Sequence, residues 1–442
     1  MLKIALPITA ALIIPNLNFI TNNIFLGALG ERELGNAGTT GVFYLIMMVS
    51  GSGLSNALQA MISRKAGEGN TKMISILFSQ GILMSLIFSF TWILITWFIA
   101  PLCLRPFVSP NNFLQVITFL KIRIWGLPFL YLFQTGNAFL IGTLNSRFMM
   151  IGTIGQALIN IFFDYALIYG AFHFSQLGFN GAAYASIIAE ISGMVIVYTV
   201  IILHGTKERF QLFTYFNFDK RVSFSILKIA TPLILQFAIS LITWLVFFIL
   251  LEDYGERAKA ISNAMRNVFG VVGVFIWAFA STTNTMVSNL IGQGLEDKVI
   301  PAINRIMSLS LIFTLITAGL LNIFARDFLG IFGQSTSFIN DAIPVVQIVS
   351  IGMLGMSTGT IWLNGVTGTG RTNINLLIEL VAVIIYIIYI YVVMIRFHLS
   401  LTLAWTNELV YWSVILSLAF LYMRSGKWKS KRGNSIDGIT SR

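Results

Sequence analysis

"KIALPI", Lys3 to Ile8, returns as "KIATPL", Lys228 to Leu233, 225 residues further along the chain. The same offset carries "GER" at Gly30 onto "GER" at Gly255 and "MISRKAGEG" from Met61 onto "MVSNLIGQG" from Met286, so that Gly67 and Gly69 fall on Gly292 and Gly294. Arg147 and Arg371 follow at an offset of 224. Several matches at one offset mark an internal duplication, which decides how everything between them is read.

What is duplicated is apolar. The 442 residues are 56% hydrophobic and 10% charged, with a mean hydropathy of +0.83, against roughly 25% charged for a soluble domain. Runs long enough to cross a bilayer, about 20 residues each, recur twelve times: 4–28, 37–60, 75–101, 114–142, 148–171 and 179–204, then 224–251, 258–291, 302–325, 342–367, 372–396 and 400–423. Six helices per repeat is an even number, so both repeats enter the membrane from the same side and are related by an axis along its normal. The expected fold is an all-α polytopic membrane protein with two pseudo-symmetric six-helix bundles. The N-lobe is 1–204, a polar inter-lobe loop 205–223, the C-lobe 224–423 and a basic tail 424–442.

The net charge of +11 does not require a nucleic-acid partner. With both termini in the cytoplasm, nineteen of the 28 Lys and Arg fall on the cytoplasmic side, which is the usual bias of inner-membrane proteins. The expected location is therefore the cell (inner) membrane, multi-pass, with the tail against anionic lipid head groups. Cys103 is the only cysteine, which excludes an intrachain disulfide and a cysteine metal site. The apolar run after "MLK" is too long for a signal peptide and reads as a retained first helix.

Two parallel bundles suit a secondary transporter that works by alternating access. At this point the chain resembles the multidrug and toxic compound extrusion (MATE) transporters over nearly its whole length. The residues that carry the resemblance are "NNIFLGALGERELGNAG" (Asn22 to Gly38), "NIFFDYALIYG" (Asn160 to Gly170), "LGFNGAAYASIIAE" (Leu177 to Glu190), "LIGQG" (Leu290 to Gly294) and "GTGRTNINLL" (Gly368 to Leu377). The resemblance implies a V-shaped exporter that moves small amphipathic, often cationic, organic compounds outward against entry of Na⁺ or H⁺, with no other cofactor and acting as a monomer among membrane lipids. The same superfamily includes lipid-linked oligosaccharide flippases, which supply the alternative reading.

Charged groups inside a membrane are costly and usually functional. Asp164 sits in such a run, with Asn160 one turn before it on the same face. At about 1.5 Å per residue, Asn160 lies roughly 18 Å and Asp164 roughly 24 Å along the fifth helix, Asn22 roughly 27 Å along the first, and Ser186 about 10 Å below the outer surface on the sixth. These four oxygen-bearing side chains reach similar depth and form the expected cation site, where one carboxylate supplies charge and amide and hydroxyl oxygens replace water. The family builds its site from an acid on helix 1, an Asn and an Asp on helix 5, and a hydroxyl on helix 6. Asn160 and Asp164 match that pair, Ser186 matches loosely, and Asn22 stands where Asp is common. No metal beyond a Na⁺ at Asp164 is expected.

Glu190, Glu379, Glu408 and Arg266 are further candidates for a proton or substrate site. Ser240, eight residues after Pro232, occupies the place where some relatives have a Glu. Similar depth suggests that Arg266 pairs with Glu408. An intramembrane enzyme is disfavoured because His173, His204 and His398 fall at helix ends or in loops, away from any buried acid. A flippase for a pyrophosphate lipid needs several buried cations, and only Arg266 and Arg123 are available.

Overall fold

The computed structural model describes residues 2–106, 108–330 and 335–429. Residues 430–442, most of the basic tail, lie outside the described residues. Among the described residues there are twelve long helices and no strand. They are α1 Leu2–Gly27, α2 Glu31–Gly67, α3 Thr71–Phe98, α4 Pro110–Gly142, α5 Met149–Tyr169 and α6 Phe179–Leu203. The second six are α7 Lys220–Leu250, α8 Gly255–Gly292, α9 Val299–Ile323, α10 Thr336–Gly368, α11 Thr372–Ile390 and α12 Asn407–Arg424. α7 and α8 run almost continuously through a 3₁₀ turn at Leu251–Tyr254. Helices satisfy every backbone group internally, which is the solution hydrocarbon allows.

The duplication is visible in the turns. Gly69 and Gly294 both adopt left-handed backbone, at φ 70° and 73°, where a Cβ would be strained. α2 begins six residues before the apolar run predicts. Its polar first turns are held by the start of α4: Arg32 donates to Asn112 Oδ1 at 2.7 Å and Asn36 to Gln115 Oε1 at 2.8 Å.

Two compact units divide the described residues, one within 2–234 and one within 235–429. The first therefore includes the connector and the opening turns of α7, as far as two residues past Pro232. The connector is strapped to α3. Ser75 donates to the Gln211 carbonyl at 2.7 Å, Gln80 donates to the Asn217 carbonyl at 2.7 Å and accepts from Ser223 at 2.9 Å, and Phe210 and Leu212 are buried. In this unit α6 packs antiparallel on α5. The two backbones approach so closely that a Cβ on Gly181 would lie 2.7 Å from the Leu167 carbonyl. In the second unit Trp405 is wholly buried against Phe247 and Phe269, and its indole N–H donates to Ser262 Oγ at 3.1 Å. A buried indole needs such a partner.

Candidate functional site

α1 and α5 run parallel in a fixed register. Ser146 Oγ donates to the Ile4 carbonyl at 3.3 Å, Asn18 Nδ2 to Asn160 Oδ1 at 2.6 Å, and the Tyr169 hydroxyl to the Phe25 carbonyl at 2.8 Å. The sequence separations are 142, 142 and 144, so Asn22 stands level with Asp164. Asn160 Nδ2 donates to Asp164 Oδ2 at 2.7 Å, as i and i+4 on one face allow. Asp164 is fully buried, so the carboxyl points into the bundle.

The polar chain Asn18, Asn160, Asp164 leaves oxygen atoms over. Asp164 Oδ1, Asn18 Oδ1, Asn22 Oδ1 and Asn180 Oδ1 are all buried and make no hydrogen bond. Buried polar atoms are rarely left so. Asn180 opens α6 beside Gly181, whose contact with Leu167 lies one turn from Asp164. Gly193 meets Gln156 on the same interface, and this antiparallel register puts the buried Ser186 at the level of Phe162 and Phe163, within two residues of Asp164. Among the described residues Ser186 makes no hydrogen bond to Asp164. One carboxylate with several amide oxygens suits a hard monovalent cation. Among the described residues no group of three His, Cys, Asp or Glu is assembled that could hold a metal ion.

Glu190 has a different setting. Arg123 grips its carboxylate with two nitrogens, Nη1 to Oε2 at 2.7 Å and Nη2 to Oε1 at 2.6 Å. The Tyr44 hydroxyl donates to Oε1 at 3.0 Å, and the guanidinium lies over the Tyr44 ring, 3.9 Å from its centroid. A 3₁₀ turn at Ile124–Gly126 interrupts α4 here. Any Cβ at Gly126 would strike both Arg123 and Glu190.

In the second unit Glu379 accepts from Ser240 and, at 2.5 Å, from the Tyr411 hydroxyl, while its Oε2 is buried without a partner. Glu408 is buried and accepts from Trp412 Nε1 at 2.9 Å. The expected pair of Arg266 with Glu408 does not form. Arg266 is exposed, its guanidinium 5.9 Å from the Phe248 ring centroid, whereas Glu408 packs against Gly352 of α10. Equal depth says nothing of which way a helix face points. Sequence reasoning also passes over Asn18, Asn180 and the Arg123 to Glu190 pair. Asn18 has a signal, since it lies one turn before Asn22 on the same face.

A family model described as MatE matches residues 7–166 and again 232–392, one copy in each repeat. The chain is 24% identical over 437 residues to the probable multidrug resistance protein NorM of Thermotoga maritima, covering 98% of this chain and 93% of that protein. It is 23% identical over 259 residues to the probable multidrug resistance protein YoeA of Bacillus subtilis, covering 57% and 56%. Among solved structures, a MATE protein in complex with MaL6 superposes with a TM-score of 0.87 at 17% identity, over 96% of this chain and 95% of that one. A transporter of the MOP superfamily from Pyrococcus furiosus gives the same score at 17% identity, over 97% and 96%.

Proposed function

The chain belongs to the MatE family, and on that footing we propose that it is a secondary active exporter, exchanging Na⁺ or H⁺ for amphipathic organic compounds by alternating access. The observation that carries the reading is the buried Asp164 carboxyl with one oxygen unused, level with the unused amide oxygen of Asn22 and one turn from that of Asn180. Such a group is costly while bare and tolerable once a cation neutralises it, so occupancy by the cation and the conformation of the bundle are linked.

In this reading Asn160 and Asn18 are positioning residues. Asn160 fixes one carboxylate oxygen by donation and is itself held by Asn18, which leaves Asp164 Oδ1 as the oxygen without a donor. Inward passage of one charge through 100 mV releases about 2.3 kcal/mol, enough to drive a modest uphill export. Sidedness follows the distribution of Lys and Arg, with both termini in the cytoplasm of a cell-membrane protein. The names of the relatives speak of multidrug resistance, and in this reading the exported compounds are amphipathic organic molecules, cations among them. The flippase alternative gains no support from the buried cations it needs, because Arg123 is matched by Glu190 and Arg266 is exposed.

The test is transport into proteoliposomes of a fluorescent organic cation, with a Na⁺ gradient and a pH gradient imposed separately. Uptake driven by one gradient and abolished by its collapse is the expected result. Uptake indifferent to both gradients overturns antiport.

A further inference from the structure

α4 carries two cations two residues apart, and only one of them is matched. Arg123 is neutralised by Glu190. Lys121 has no carboxylate partner among the described residues, and its ammonium sits 4.8 Å from the centroid of the Trp97 ring. Around it, α3, α4 and α6 open a cavity of about 460 Å³, lined by Trp97, Thr118, Lys121, Trp125, Tyr184 and Ile187. Trp97, Trp125 and Tyr184 are each exposed by 41 to 49%, so the cavity faces outward from the bundle. Thr118 and Trp125 lie three residues before and four after Lys121, on the same helix face.

Its depth identifies its surroundings. The polar contacts of Arg32 and Asn36 with Asn112 and Gln115 mark the water-exposed start of α4. Lys121 is six residues beyond Gln115, which is about 9 Å deeper along the helix. That is the zone between head groups and acyl chains, where Trp and Tyr gather. An unmatched ammonium there attracts an anion, and the aromatic rim offers N–H and O–H donors beside it.

We propose that this cavity binds the head group of an anionic phospholipid from the leaflet at the end of the bundle where α1 gives way to α2. The lipid phosphate accepts from the Lys121 ammonium and the Thr118 hydroxyl, and the acyl chains run along Ile187 and the outer face of α6. The site is separate from the Asp164 cluster, and the inference does not depend on the transport reaction.

The experiment is native mass spectrometry of the full chain in detergent, with dioleoyl-phosphatidylglycerol or dioleoyl-phosphatidylcholine added at equal concentration. The wild type is expected to retain phosphatidylglycerol preferentially. Lys121→Gln is expected to lose roughly fivefold of that binding, the factor attached to one interfacial lysine, while Lys121→Arg keeps it. Thr118→Val, which leaves the charge in place, is expected to weaken it less. Lys429→Met, a change at a lysine already paired with Asp297, controls for net charge. Equal retention of the two lipids by the wild type overturns the proposal. So does phosphatidylglycerol binding that Lys121→Gln leaves unchanged or that Lys429→Met lowers as much.

Discussion

Asn160 donates an N–H to Asp164 Oδ2 across 2.7 Å, and the other carboxylate oxygen, Oδ1, is buried with no donor at all. A structural acid in an apolar bundle ordinarily has both oxygens satisfied. Half-satisfaction is what a group needs if it is to exchange a cation.

Asp164→Asn removes the charge and keeps the volume. The amide is easier to bury than a carboxylate, so expression and thermal stability should match or exceed the wild type. Drug binding, measured by fluorescence quenching or polarisation, should persist. Gradient-driven export should fall to background. Export at the wild-type rate under the same gradient would make Asp164 a structural acid.

Asn18→Ala tests the far end of the polar chain. Without Asn18, Asn160 Oδ1 loses its donor inside the bundle, a loss of about 1–3 kcal/mol. Asn160 is then free to turn, and Asp164 is no longer aimed. The half-saturating cation concentration for export should rise about threefold to tenfold, the equivalent of about 0.7–1.4 kcal/mol, with the maximal rate preserved. An unchanged half-saturation would leave Asn18 with no part in positioning.

Arg123 and Glu190 call for a double-mutant cycle. Arg123→Met alone strands a buried carboxylate and should destabilise the protein by about 3–5 kcal/mol. Adding Glu190→Gln should recover much of that loss, because two neutral groups of similar size are far cheaper to bury than one unpaired charge. Thermal unfolding of the two single variants and the double variant decides it. A double variant that is stable and exports normally would assign the pair to architecture; one that is stable and inactive would put Glu190 in the transport cycle.

The legible parts of this protein are those carried by period and spacing. The 225-residue duplication, the apolar runs and the i,i+4 relation of Asn160 to Asp164 need no tertiary information, and simple rise per residue brings Asn22 level with Asp164. What was not legible depends on the angle at which a helix face is presented. Arg266 and Glu408 have comparable depth but point to different surroundings, one over Phe248 and the other against Gly352. The Arg123 to Glu190 contact needs α4 interrupted by a 3₁₀ turn and a glycine at 126, which hydropathy does not encode. Asn180 lies in the opening turn of α6, a place where an asparagine reads as a cap.

Gly181 connects packing to the site. Its Cα lies so close to α5 that an added Cβ would be 2.7 Å from the Leu167 carbonyl and 2.9 Å from the Ile168 nitrogen. Both are backbone atoms, which have no rotamer to change. Gly181→Val therefore has to push α6 off α5 locally, and overpacking of this kind costs about 1–3 kcal/mol. Asn180 is the adjacent residue and Ser186 lies little more than one turn further along α6, so both recede from Asp164 when the helices part. Na⁺ or H⁺ dependence of export should weaken, with the half-saturating concentration rising roughly tenfold for about 1.4 kcal/mol of lost contact. Gly270→Ala, at a helical glycine with nothing within 4 Å of its added Cβ, supplies the control for changing helix propensity alone and should export as the wild type does. A Gly181→Val protein with wild-type cation dependence would show that the α5 to α6 spacing does not set the geometry around Asp164.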